Sequence, residues 1–281
     1  MRLSLLIYFL IFSLGTRAQT LQLKPYLFNP IGGKEFTSNL ASSNVAFNIR
    51  EHIIYQAIDN GNIPDFLIKL VKISHTENIE GRDYTIEFYV TPDYLSIGNN
   101  SDYVYMPMTP ILAQKVATRF NCSLPTKKMV DLIYTSATIK LEPKPIPPSD
   151  LMTTIYVLKQ HDELVKTQLK PLEARHLNSE LTAGNKKDII ISNKIYTETK
   201  PKVVIYGWHQ LNGKPIQPVY NKHTNTWADY SHGIRLVQNK VWVNGKKTTI
   251  SKVLANKKLC ILLSDEGVIE KNFYPITEYG L

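Results

Sequence analysis

From Phe66 to Ser74 and from Tyr84 to Val90 apolar and polar residues alternate on either side of Glu80-Gly81-Arg82. A period of two bounded by a glycine turn predicts a β-hairpin. Before it, Val45, Ile49, Ile53 and Ala57 recur near helical spacing. They predict a helix over about 44–59, with Ser42 or Ser43 as cap and Asn60-Gly61 as its end. The lead-in 19–42 holds Pro25, Asn29-Pro30 and Gly32-Gly33 and reads as extended and turn-rich. Tyr94 to Ile97 and Tyr103 to Met106 form a second strand pair across Gly98-Asn99-Asn100. Thr109-Pro110 caps and opens a helix over about 110–120, and Thr126 caps the next, to about Ala137.

Lys140 to Pro148 is proline-rich and divides the chain. A helix over about 152–169 follows, carrying His161 among polar neighbours, where it reads as exposed; 170–186 is irregular. Beyond Asp188 the period returns to two. Ile189–Ser192, Val203–His209, Ile216–Tyr220, Trp227–Tyr230 and Ile234–Val237 read as strands of an antiparallel sheet. Val241–Val243 and Lys247–Ile250 flank Asn244-Gly245, the strongest hairpin signal in the chain, and short helical pieces follow near 251–263. Helices and hairpins first, then a β-rich half, predict an α+β fold. The expected organisation is 1–18 as a leader, 19–148 as helices plus hairpins, and 149–281 as a helix followed by sheet, two units or one domain.

The leader reading comes from Met1-Arg2, the apolar run Leu3–Leu14 and Thr16-Arg17-Ala18, the three regions of a secretory signal peptide. Its apolar core is too short for a bilayer, which needs about 20 residues. A secreted or periplasmic protein without a membrane span is expected. The net charge of +9, with lysines spread along the chain, favours solubility and acidic surfaces such as anionic wall polymers. No nucleic-acid recognition motif is present. Cys122 and Cys260 are the two cysteines, and pairing or two free thiols are equally open.

Leu124–Asp131, Gly184–Asp188, Tyr206-Gly-Trp-His209, Pro215-Ile-Gln-Pro218 and Asp229-Tyr-Ser-His-Gly-Ile-Arg-Leu-Val237 resemble the signature of a family of exported bacterial proteins with no assigned reaction. Cys122 ahead of a helix, with a later sheet bearing His209, is similar in order to papain-like cell-wall hydrolases of the NlpC/P60 type. The local sequence around that cysteine differs from theirs. Ser231-His232-Gly233-Ile234-Arg235-Leu236 resembles the L,D-transpeptidase box, with Ile234 where the nucleophilic cysteine stands.

Candidate chemistry follows from residue type. A thiol at a helix N-terminus ionises readily, a facing histidine can take its proton, and a carboxylate can orient that histidine. Cys122 is thus the candidate nucleophile, His209 or His232 the base and Asp229 the orienting carboxylate. Trp208, Gln217, Tyr230, Ser231 and Arg235 are candidate substrate contacts, with Arg235 on an acidic group. His209, His223, Asp229 and His232 are also zinc-ligand types, but their spacing fits no zinc motif, and no cofactor is expected. Lys186-Lys187-Asp188 reads as a solvated charge cluster, and Asp265-Glu266 as a turn. Two functions compete: an exported envelope hydrolase cleaving amide bonds in peptidoglycan or peptides, and a non-catalytic envelope protein. The second would bind glycan or protein through Trp208, Tyr220, Trp227, Tyr230 and Trp242.

Overall fold

The structure is a computed structural model that describes residues 19–23, 30–42 and 46–276. The leader expected at 1–18 lies outside the described residues. The elements run α1 Gly33–Ser42, α2 Phe47–Asp59, β1 Val71–Ile79, β2 Arg82–Val90, β3 Ser96–Gly98, β4 Tyr103–Tyr105, α3 Pro110–Arg119, β5 Cys122–Ser123, α4 Lys127–Ser136 and β6 Ile139–Lys140. There follow α5 Ile155–Leu169, α6 Glu173–Leu177, β7 Thr182–Ala183, β8 Lys187–Ile189, β9 Ile205–His209, β10 Pro215–Tyr220, β11 His232–Gly233, β12 Val237–Gln238, β13 Lys240–Val243, β14 Lys246–Thr249 and α7 Ile250–Leu254. The fold is α+β.

Two sheets organise it. In the larger, β2 is central: β1 pairs with one edge, and β12 and β13 with the other. Strands from both sides of the proline-rich connector therefore share one sheet, and one apolar cluster runs through both halves. The smaller sheet has the order β10-β9-β8-β11, antiparallel except for the parallel pair β8/β11. Helix α4 packs on β9 through the face carrying Met129, Val130, Ile133 and Tyr134. Burying each such side chain contributes roughly 1.5–3 kcal/mol.

Both strong hairpin signals close as expected. Glu80 and Gly81 have φ of 52° and 79°, and Asn244 and Gly245 of 48° and 74°, the paired positive φ that matches the right-handed twist of adjoining strands. The caps Thr109 and Thr126 accept from Leu112 N and Met129 N, and α5 begins at its own cap, Thr154.

Several expectations give way. The stretch 170–186 is not irregular throughout, since it holds α6 and β7. The lead-in contains α1, which begins at Gly33, a residue packed against β4 with no room for a Cβ (Tyr103 C at 2.5 Å). Phe66–Leu70 is a short 3-10 turn and its exit, so β1 starts at Val71. Trp227–Tyr230 is no strand, since Trp227 N closes a turn onto Thr224 O. Ile234–Leu236 threads between layers with all three side chains buried, its carbonyls taken by Leu95 N and Thr91 N outside any sheet. No helix among the described residues is long and apolar enough to cross a membrane.

Candidate functional site

The chemistry-bearing residues gather on the two faces of the small sheet, and the division between the faces is made inside β9. Tyr206 and His209 stand three residues apart, so regular alternation would send them to opposite faces. Both nonetheless reach Asp131 Oδ1, Tyr206 through its hydroxyl at 2.8 Å and His209 through Nε2 at 3.0 Å. The residues between them explain this: Gly207 has φ of 103° and Trp208 φ of 56°. A bulky side chain at positive φ is an uncommon, strained conformation that clusters at functional positions. Here it reverses the alternation, sending Trp208 to one face and His209 to the other.

On the outer face, His209 is walled in. Tyr134 stacks on its ring at 4.5 Å and 16°, and Tyr206 meets it edge-on at 5.7 Å. Tyr134 is itself fixed by its hydroxyl, which donates to Gln210 O at 2.6 Å. Asp131 also accepts from Lys127 Nζ at 2.9 Å, and Lys127 reaches Asp265 at 2.8 Å. Burial would push the Asp131 carboxyl up, but the bonds from His209, Lys127 and Tyr206 outweigh it and hold the group below the usual carboxylate range. An ionised carboxylate only accepts, so His209 donates from Nε2 and its neutral form carries the lone pair on Nδ1. Nδ1 has no hydrogen-bond partner among the described residues. Asp131, Tyr134, Lys140, Tyr206 and His209, with Leu211–Gly213, line an open cavity of about 450 Å³. A carboxylate-oriented imidazole on a cavity wall can serve as a general base, with the Lys140 ammonium available to a negative group.

The inner face is buried. Lys186 Nζ donates to Tyr230 O at 2.6 Å and contacts His161 Nδ1 at 3.1 Å. Burial lowers its pKa to about 8 although nearby Asp162, Asp229 and Asp93 oppose the shift. His161 is fully buried rather than exposed, and burial drives its pKa to about 2. Lys186 and Asp188 are likewise buried, so the run Lys186-Lys187-Asp188 is not a solvated cluster. The reason is position: β8 is an inner strand of the small sheet, and its successive residues Asp188 and Ile189, on opposite faces, are both buried.

The remaining expected residues fall into place around this core. Cys122 stands in β5, just past the C-terminal end of α3 rather than at a helix N-terminus, and its thiol donates to Phe120 O at 3.4 Å. Burial pushes that thiol up to about 12, so it is protonated at neutral pH and unsuited to nucleophilic attack. It lies in the large sheet and His209 in the small one. Cys122 and Cys260 are both free and buried.

Asp229 does not orient a histidine. Its Oδ1 is held by the Ser231 amide and hydroxyl at 2.8 and 2.5 Å, while His232 Nε2 stands 3.9 Å from Oδ2, beyond hydrogen-bond reach. Burial pushes the His232 ring down to about 4, leaving it neutral. Arg235 holds backbone, not substrate: fully buried, it donates to Thr91 O at 2.9 Å and Thr182 O at 2.8 Å and lies 4.2 Å over the Tyr94 ring. Gln217 is half-buried on β10, its amide donating to Pro218 O at 2.9 Å. Trp208 and Tyr230 are buried, so neither offers a free ring for stacking on sugar. His223 stacks on Trp227 at 4.7 Å, apart from the His209–Asp131 pair. Among the described residues no three His, Cys, Asp or Glu side chains gather as a metal site.

Asp131, Tyr206 and Lys186 were not among the expected site residues. Asp131 had a local signal, its i,i+4 pairing with Lys127, but its partner His209 is 78 residues away along the chain. No protein-family model, curated protein or solved structure matches this chain.

Proposed function

We propose that this protein is an exported cell-envelope hydrolase that cleaves amide bonds in peptidoglycan or peptides by general acid–base catalysis at His209. The observation that carries the reading is the 3.0 Å bond between His209 Nε2 and Asp131 on the wall of the 450 Å³ cavity. In this reading Asp131 fixes the tautomer, His209 Nδ1 takes a proton from a water bound in the cavity, and Lys140 meets negative charge on the substrate or the developing oxyanion. The nucleophile is water, since the Cys122 thiol is protonated. The basic start and apolar run of residues 1–14 support export, and the excess of lysine suits an anionic wall polymer.

Purified protein lacking residues 1–18, incubated with cell-wall digests and with a peptide panel, should release new amino termini detectable by mass spectrometry. His209→Gln and Asp131→Asn should each reduce that release by about 10²–10⁴ if general-base catalysis is lost. Equal turnover in the wild type and both variants would remove His209 from the mechanism. Saturable binding of wall fragments without any cleavage would replace hydrolysis by recognition.

A further inference from the structure

Nine buried side-chain polar atoms lack a hydrogen-bond partner among the described residues, and five of them belong to His161, Asn185 and His232, with a sixth on Trp208. Native interiors leave few such groups unpaired, because each costs the desolvation it never recovers. His161, Trp208 and His232 sit together on the inner side of the small sheet. His161 and Trp208 have ring centroids 6.0 Å apart, and Lys187 Nζ lies 5.0 Å over the Trp208 ring. His232 is the register partner of Lys187 across β11/β8, which puts the two side chains on one face.

The sense of the unpaired groups is readable. The Lys186 ammonium donates to His161 Nδ1, so the neutral His161 ring carries its proton on Nε2, an unused donor. The Trp208 indole Nε1 can only donate, and it too has no acceptor. The Lys187 ammonium makes neither a hydrogen bond nor a close ion pair among the described residues; Asp229 acts on it through charge alone, its carboxylate oxygens being held by Ser231 and Trp227. Two uncharged donors beside the Lys187 ammonium therefore lack an acceptor.

We infer that Trp208, His161, His232 and Lys187 form a binding site for a small carboxylate, on the face of β9 opposite His209. One oxygen would accept from Trp208 Nε1 and His161 Nε2, and the charge would be met by Lys187. His232, neutral and with both ring nitrogens unpaired, supplies a further donor. The carboxylate belongs either to a free small acid or to the C-terminus of a short peptide. The site neither uses nor requires the His209–Asp131 pair, so it stands whether or not that pair is catalytic.

The test is a titration of ¹⁵N-labelled protein lacking residues 1–18 with sodium acetate, and in parallel with alanylalanine, against sodium chloride at equal ionic strength. The Trp208 indole signal is identified by its loss in Trp208→Phe. Acetate or the dipeptide should move that signal saturably, chloride should not, and Lys187→Met should weaken the binding at least tenfold. Tighter binding of the dipeptide makes the occupant a peptide terminus, and equal or tighter binding of acetate makes it a free acid. No saturable movement with either carboxylate, or an unchanged affinity in Lys187→Met with its fold intact by circular dichroism, overturns the assignment. His209→Gln should bind as the wild type does, which separates this site from the proposed hydrolysis.

Discussion

Gly207→Ala tests how the candidate site is built. Gly207 has φ of 103°, beyond the left-handed well that L-residues tolerate, and an added Cβ would meet Val130 Cγ1 at 3.3 Å, with Asp188 Oδ2 and His209 Cε1 each at 3.5 Å. Holding alanine there costs about 1–3 kcal/mol of backbone strain. Gly245→Ala is the matched control: its φ is 74° and no atom lies within 4 Å of the new methyl. It should cost only about 1–2 kcal/mol. For a domain of this size 1 kcal/mol moves the melting temperature by roughly 2–4 °C, so Gly207→Ala should lower it by about 2–12 °C.

The more specific consequence concerns geometry. If β9 relieves the strain by straightening, Tyr206 and His209 return to opposite faces and can no longer share Asp131. Urea unfolding followed by circular dichroism measures the first effect. The proton NMR signal of the His209 Nε2–H, bonded to Asp131 in the wild type, reports the second. A Gly207→Ala protein with wild-type stability and an undisturbed His209 signal would refute the account of the kink.

Further expectations follow from burial and charge. Cys122→Ala should leave any hydrolytic activity unchanged, and the native thiol, pushed up to about 12, should resist iodoacetamide at pH 7 until the protein unfolds; rapid native alkylation would restore Cys122 as a candidate nucleophile. Burial depresses His232 to about 4 from the ordinary 6.5, so below pH 6.5 the unfolded chain takes up a proton that the fold refuses. Its neutral burial therefore favours the fold fully above pH 6.5, and about 3 kcal/mol is lost as the pH falls towards 4. Urea titrations of wild type and His232→Leu across pH 4–7 should show that slope shrinking in the variant, and equal slopes would contradict it. Arg235→Lys should destabilise by roughly 2–4 kcal/mol, because an ammonium cannot reproduce the two forked bonds to Thr91 O and Thr182 O. Intact stability with weakened substrate binding would return Arg235 to a substrate role.

Local patterning carried much of the architecture. The glycine turns at Glu80-Gly81 and Asn244-Gly245, and the caps Thr109 and Thr126, are decided by a few neighbouring residues, and each lies where the sequence placed it. Periodicity was less reliable where burial is two-sided. Ile234–Leu236 reads as a strand, yet it is buried on every side and bonds to loop backbone instead. The Tyr206-Gly-Trp-His209 and Asp229–Arg235 stretches were recognisable as chemically dense, but their roles were not.

Those roles depend on partners distant in the chain. Residue type and short-range spacing marked Asp229 as the partner of a histidine, whereas folding gives Asp229 to Ser231 and brings Asp131 to His209 from another element. His161 and Lys186 look like surface groups in sequence because their neighbours are polar. Only the packing of α5 against the small sheet makes them buried, shifts their pKa values and leaves donors without acceptors. Turns, caps and strand alternation are set by dihedral preferences within a few residues, and one chain reports them directly. Burial, tautomer and charge pairing are properties of the assembled interior, where the dielectric and the partners come from segments far apart in the sequence.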